Sequence, residues 1–209
     1  MGSVELQFNL AEIAEIIAYR QLRVLFSACL VGNLTGWDGN AYPVDIIKRI
    51  HDHQHVTPIT YCPEAFSFGV PREFCSIHGG DGFDVLDGKA KLLTVTGVDW
   101  TEGAIKAADE AIRVAQAADI DFAIMLDISP SCGSHFIVKG PPERKEYLAA
   151  AGVTVAAMTR AGIPVYSSRQ YRYLGGLLSV LDPDFKSDEP LINLTEGEWY
   201  LNYFGRDNL

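Results

Sequence analysis

The sequence predicts an α/β fold: a three-layer, Rossmann-like domain on a mostly parallel sheet, with a helix before it and an extension after it. Two observations carry this. Short apolar runs recur along the chain, as strands buried on both faces require, and segments with apolar residues at helical spacing stand between them. Strand and helix in alternation call for parallel pairing with right-handed crossovers. A chain of 209 residues can bury one proper core. The domain is expected over 23–168, with a helical segment over 1–22 and a tail over 169–209 that packs on it or on a subunit mate.

The elements follow in order. Over Asn9–Gln21, Leu10, Ile13, Ile16 and Ile17 share one helical face, and Asn9 suits the N-cap. Arg23–Val31 reads as the first strand, with Cys29 near its end. A turn-rich loop, Gly32–Asn40, leads to a helix over Pro43–His51. Val56–Tyr61 is the second strand, and Cys62 stands directly after it. An irregular stretch then runs to Gly82, long enough in a compact domain to be functional or a lid. Within it Gly79-Gly80-Asp81-Gly82 marks a tight turn where backbone approaches something closely.

Asp84–Val95 is predicted as a hairpin about Asp87-Gly88. Thr101–Ala118 is the clearest helix, with Ile105, Ala108, Ile112 and Ala115 toward the core and Thr101 as cap. Asp121–Leu126 is the third strand and His135–Val138 pairs back locally. Val153–Ala161 forms a helix ended by Gly162, and Ile163–Tyr166 is the fourth strand. In the tail, Tyr171, Tyr173, Trp199, Tyr200, Tyr203 and Phe204 are assigned to packing, and a homodimer through the two extensions is expected.

A net charge of −10 argues against duplex nucleic acid and against an anionic membrane surface. No apolar run has the length of a membrane span. The amino terminus lacks the pattern of a signal peptide, so a cytoplasmic setting and reduced cysteines are expected. The partner that suits this balance is a small molecule, neutral or only weakly charged.

Cys29, Cys62 and Cys132 each fall at the carboxyl end of a predicted strand, where open α/β sheets bind ligands. Three thiols converging there form a metal or iron–sulfur site more readily than a redox pair; inert buried thiols are the plain alternative. Three ligands to a cubane would leave one iron open for chemistry, whereas adding Cys75 would close it for electron transfer. Cys132 lies in Ser129-Pro130-Ser131-Cys132-Gly133-Ser134, a loop poor in packing residues and rich in hydroxyls. Glu64, two residues past Cys62, is a candidate general base, with a solvated loop carboxylate as its alternative.

These residues belong to an ordered set: S-A-C-L at Ser27–Leu30, D-G at Asp38–Gly39, C-P-E at Cys62–Glu64 and P-R at Pro71–Arg72. Then come G-G-D-G at Gly79–Gly82, G-K-A at Gly88–Ala90, G-V-D-W-T at Gly97–Thr101 and S-P-S-C-G-S at Ser129–Ser134. The set resembles the bacterial thiouracil desulfidase family over about Arg23–Ser168. The resemblance implies a [4Fe–4S] cluster held by Cys29, Cys62 and Cys132, with one open iron that takes the sulfur of a thiocarbonyl substrate. It places Glu64 and Ser129 beside the water that replaces sulfur, in a reaction without electron transfer. Asp38, Ser131, Asp127 and His135 are candidate substrate contacts, Asp127 standing where relatives usually carry Lys. The expected function is therefore a non-redox desulfurase for a small thiolated compound. The alternatives are a sensor that captures a sulfur ligand without turnover, and a cluster-free thiol enzyme.

Overall fold

A computed structural model describes residues 9–144, 146–187 and 190–205. The outermost parts of both expected extensions, 1–8 and 206–209, lie outside the described residues. The chain runs α1 (Leu10–Tyr19), β1 (Leu22–Ser27), α2 (Asp45–His51), β2 (Val56–Tyr61), α3 (Pro63–Phe68), β3 (Cys75–His78), α4 (Gly82–Leu86) and β4 (Lys91–Thr94). It continues through α5 (Thr101–Ala117), β5 (Phe122–Met125), β6 (Ile137–Lys139), β7 (Glu146–Leu148), α6 (Val153–Arg160), β8 (Val165–Ser167), α7 (Tyr171–Leu181) and α8 (Glu198–Phe204).

The central sheet is wholly parallel, in the order β2-β1-β5-β8. Its alternating side chains make the layers, because successive residues of a strand face opposite ways. Leu22, Val24 and Phe26 of β1, with Phe122 and Ile124 of β5, pack on the face covered by α1, α2 and α7. Leu25, Ala123 and Met125 face α5 and α6, where they meet Ala111, Ala115, Val155 and Met158. The alanines of α5 let that helix approach the sheet closely. A second core, around Ile77, Val85, Leu92 and Val153, joins the β3–β4 pair to α4, α5 and α6. No helix among the described residues is long and apolar enough to cross a membrane.

Four local expectations give way to the structure. The first strand stops at Ser27, and Ala28–Val31 coil into a 3-10 turn that ends at Gly32, with φ +106°. The stretch after Cys62 is not irregular. Pro63 opens α3 as its first residue, and Cys75–His78 form a strand. The hairpin centred on Asp87-Gly88 does not exist, because Asp81 caps α4 through a capping box with Asp84 and the true hairpin partners are β3 and β4. Thr101 is the first residue of α5 and not its cap; its hydroxyl instead accepts the N–H of Leu92 at 3.0 Å. Asn9 does cap α1, in a capping box with Glu12.

The close approach read from Gly79–Gly82 is real at Gly82. A Cβ there would collide with the backbone of Gly152, and a Cβ on Gly152 would sit 2.6 Å from the backbone of Ser131. Backbones of α4, of α6 and of the hexapeptide loop are thus in direct contact. The tail does not leave the domain either. Leu174, Leu177, Leu178 and Leu181 of α7 are buried in the same core as β1 and α1.

Candidate active site

The carboxyl ends of β2, β1 and β5, side by side in the sheet, open onto a cavity of about 200 Å3. All four cysteines line it. Cys29 comes from the 3-10 turn after β1 and Cys62 from the N-cap of α3, where its Sγ accepts the N–H of Ala65 at 3.4 Å. Cys132 comes from the loop after β5, and Cys75 from the first residue of β3. No cysteine forms a disulfide.

The loop carrying Cys132 is fixed from two directions. The first N–H groups of α6 need acceptors, as at any helix start. Those of Val153 and Thr154, with that of Gly152, donate to the carbonyls of Pro130, Ser131 and Gly133 at 2.9, 2.9 and 2.8 Å. Asp127, almost fully buried, receives the rest. Its Oδ1 accepts the N–H groups of Ile128, Ser134 and His135 at 3.1, 3.1 and 3.2 Å. Its Oδ2 takes the Ser167 hydroxyl at 2.7 Å and His135 Nδ1 at 3.1 Å. Burial alone would raise this carboxyl, but His135 and these donors together hold it below the ordinary value. They also hold Ile128 at φ +67°, a conformation a β-branched residue rarely adopts.

Glu64, only 8% exposed, is gripped from both ends. Arg72 Nε and Nη2 donate to Oε2 at 3.1 and 2.9 Å, and Ser129 Oγ donates to Oε1 at 3.2 Å. Ser129 Oγ in turn accepts the N–H groups of Ser131 and Cys132 at 3.2 and 3.1 Å, so its single proton is directed at Glu64. Arg72, its side chain 4% exposed, also donates to the carbonyls of Thr35 and Gly69, each at 3.1 Å. One guanidinium therefore ties the Gly32–Asn40 loop to the carboxylate.

Burial pushes every one of the thiols up, Cys29 to about 12 and Cys132 well above its ordinary value. The next contribution separates them. Cys29 is raised further by Cys62, and Cys132 by Cys62, Glu64 and Cys29. Cys75 is influenced by Glu64 and Arg72 but by none of the other thiols. Cys62 thus acts on both Cys29 and Cys132, and Cys29 acts on Cys132, while Cys75 is influenced only by burial and the Glu64–Arg72 pair.

Three thiols, two buried and one partly buried, are costly as anions unless a cationic group lies among them. Among the described residues no group of three or more Cys, His, Asp or Glu is close enough to hold a single metal ion. Cys29, Cys62 and Cys132 all line one cavity, and an all-thiol donor set of this kind fits an iron–sulfur group better than a single zinc site.

Of the residues singled out in the sequence, Cys29, Cys62, Cys132, Glu64, Ser129 and Asp127 meet at this cavity. Ser131, His135 and Asp38 do not line it. Ser131 is built into the start of α6, and His135 lies behind Asp127. Asp38 is exposed and accepts a 2.7 Å hydrogen bond from Tyr42, whose ring does line the cavity. Arg72, Tyr42, Trp37, Phe74 and Arg169 escaped the sequence reading as site residues. Arg72 alone had a signal, as the second residue of the P-R pair.

Comparison with known proteins gives a consistent picture. The chain is 34% identical over 148 residues to the uncharacterized protein YbbK of Bacillus subtilis (strain 168), covering 70% of this chain and 96% of that protein. A solved structure described as the [4Fe–4S]-dependent thiouracil desulfidase TudS superposes with a TM-score of 0.61 at 28% identity, over 77% of this chain and 99% of that one. The family model for 2-thiouracil desulfurase matches residues 24–170, a span that holds nearly all of the sheet together with Cys29, Cys62, Cys132 and Glu64. The chain belongs to the 2-thiouracil desulfurase family.

Proposed function

We propose that the protein is an iron–sulfur-dependent desulfidase that exchanges the sulfur of a small thiocarbonyl compound, thiouracil or a close relative, for oxygen from water. The observation that carries this is a set of three thiols, Cys29 and Cys132 buried and Cys62 partly so, sharing one cavity with a carboxylate clamped by Arg72 and Ser129. Cys29, Cys62 and Cys132 would hold a [4Fe–4S] group, which when bound supplies a Lewis-acidic iron free of cysteine, able to draw electron density from a thiocarbonyl sulfur.

The remaining chemistry is the chain's own. Arg72 holds Oε2 and turns Glu64 so that Oε1 faces the cavity, where it accepts a proton from water. The water oxygen bonds to the thiocarbonyl carbon, the carbon–sulfur bond breaks, and hydrosulfide departs. The proton held at Glu64 then returns to solvent or to the leaving group. No electrons change hands. Ser129 fixes the rotation of Glu64, while Trp37 and Phe74, edge-on at 5.5 Å, form an aromatic wall suited to a flat ring. Four unbridged cysteines suit a reducing compartment such as the cytoplasm.

The cluster-free thiol reading fares worse. A nucleophilic cysteine needs a lowered pKa, and burial drives Cys132 the opposite way. Anaerobic reconstitution followed by a sulfide-release assay on a panel of thiocarbonyl rings tests the proposal. Iron-loaded protein is expected to release sulfide and form the matching carbonyl product. Turnover that persists at full rate in iron-free protein would sink it.

A further inference from the structure

Among the described residues two arginines line the cavity, and their states are opposite. Arg72 is saturated by Glu64 and by backbone carbonyls. Arg169 is half-buried, and its guanidinium has no hydrogen bond or ion pair to any of the described residues. Its backbone is held on both sides: the N–H donates to Ser167 Oγ at 2.9 Å, and the carbonyl accepts the N–H of Leu194 at 3.1 Å. The residue is fixed in place while its charge is left unanswered.

Among the described residues, the carboxylates around the cavity do not answer it. Glu64 belongs to Arg72 and Ser129, Asp127 to its ring of loop donors, and Asp38 to Asn40 and Tyr42. A guanidinium has five donors in a fixed fork that matches the paired oxygens of a carboxylate or phosphate. In a chain of net charge −10, a free cation at the cavity is also the local feature that offsets general repulsion of anions.

We propose that Arg169 is a specificity-determining residue that binds an anionic oxygen group on the substrate. The favoured substrates are then thiocarbonyl rings carrying a carboxylate or phosphate, ahead of the bare neutral ring. The sulfur part of this statement rests on the desulfidase reading; the anion anchor rests only on the cavity.

Calorimetric titration of the iron-loaded protein under anaerobic conditions separates the two. The probes are uracil, a carboxylated uracil and inorganic phosphate, none of which contains sulfur. The carboxylated ring is expected to bind at least about tenfold more tightly than uracil, the scale of one charge-assisted hydrogen bond. Arg169→Gln should remove that preference and Arg169→Lys should keep part of it. Competition by millimolar phosphate would assign the same anchor to phosphorylated substrates, and its absence would restrict the anchor to carboxylates. Equal affinity of the wild-type protein for the two uracils, or a preference that survives Arg169→Gln, overturns the proposal. Sulfide release from thiouracil, measured alongside, reports on the desulfidase reading independently of either result.

Discussion

Arg72 and Glu64 form a buried pair in which two guanidinium nitrogens meet one carboxylate oxygen, at 3.1 and 2.9 Å, leaving the other oxygen to the cavity and Ser129. Removing one partner strands the other's charge in the interior. Arg72→Met should therefore cost about 3–5 kcal/mol in stability by urea unfolding and reduce kcat more than it raises KM. Arg72→Lys, which keeps the charge but not the fork, should recover stability better than turnover. If Arg72→Met unfolds at the wild-type urea concentration, the pair has been misjudged.

The thiols predict iron content. Substituting Ser for Cys29, Cys62 or Cys132 should abolish a stable complement of about four irons per chain. Cys75→Ser should retain it, because Cys75 lies by Glu64 and Arg72 and is not influenced by the other three sulfurs. Iron and acid-labile sulfide analysis after anaerobic reconstitution reads this directly. A full complement in Cys132→Ser, or its loss in Cys75→Ser, contradicts the assignment.

Asp127 predicts a pH dependence. Its folded value lies below the unfolded one, so its stabilising contribution is complete above about pH 4 and disappears as pH falls through the folded value. Asp127→Asn should therefore be less stable than wild type by about 2–4 kcal/mol at neutral pH. That gap should close as the solution is acidified below about pH 4. A difference that stays constant between neutral and acid pH would show that lost charge is not its cause.

Two packing substitutions test the frame. Gly152→Ala pushes a methyl into the backbone of Ser131 and should cost about 1–3 kcal/mol while loosening the Cys132 loop. Leu177→Ala in α7 should cost about 2–5 kcal/mol, as for any fully buried leucine. Thermal melts of both measure this, and a silent Leu177→Ala would mean that the tail packs on the domain without supporting it.

The middle of the sheet was legible in the sequence because β1 and β5 are short apolar runs buried almost throughout, whereas β2, at the sheet's edge, buries only Val56 and showed itself by its β-branched residues. The α5 helix and the Asn9 cap were legible for equally local reasons, periodicity and capping chemistry. Cys29, Cys62 and Cys132 could be grouped because topology sends every parallel strand's carboxyl end to the same edge. The failures share one physical origin. α3 and α4 are five or six residues long, too short for a helical period to show, and are set by Pro63 and by the Asp81 cap. β3 and β4 pair across an intervening helix, so no turn signal announces them. Arg72 and Arg169 gain meaning only from what surrounds them, and nothing in a linear string says that one guanidinium is satisfied and the other is not.

The three interacting cysteines sit on turns after β1, β2 and β5, strands that become neighbours only when the parallel sheet has formed. An unfolded chain offers these thiols no common site, in contrast to the closely spaced cysteines of a zinc finger. On the proposed function, folding would precede capture of the cluster. The folded chain would then be a finished receptacle held by its own aromatic and aliphatic core, and a delivery system would meet a shaped opening instead of a flexible chelator. On that reading, oxidative loss of iron would leave the receptacle standing and ready to be refilled.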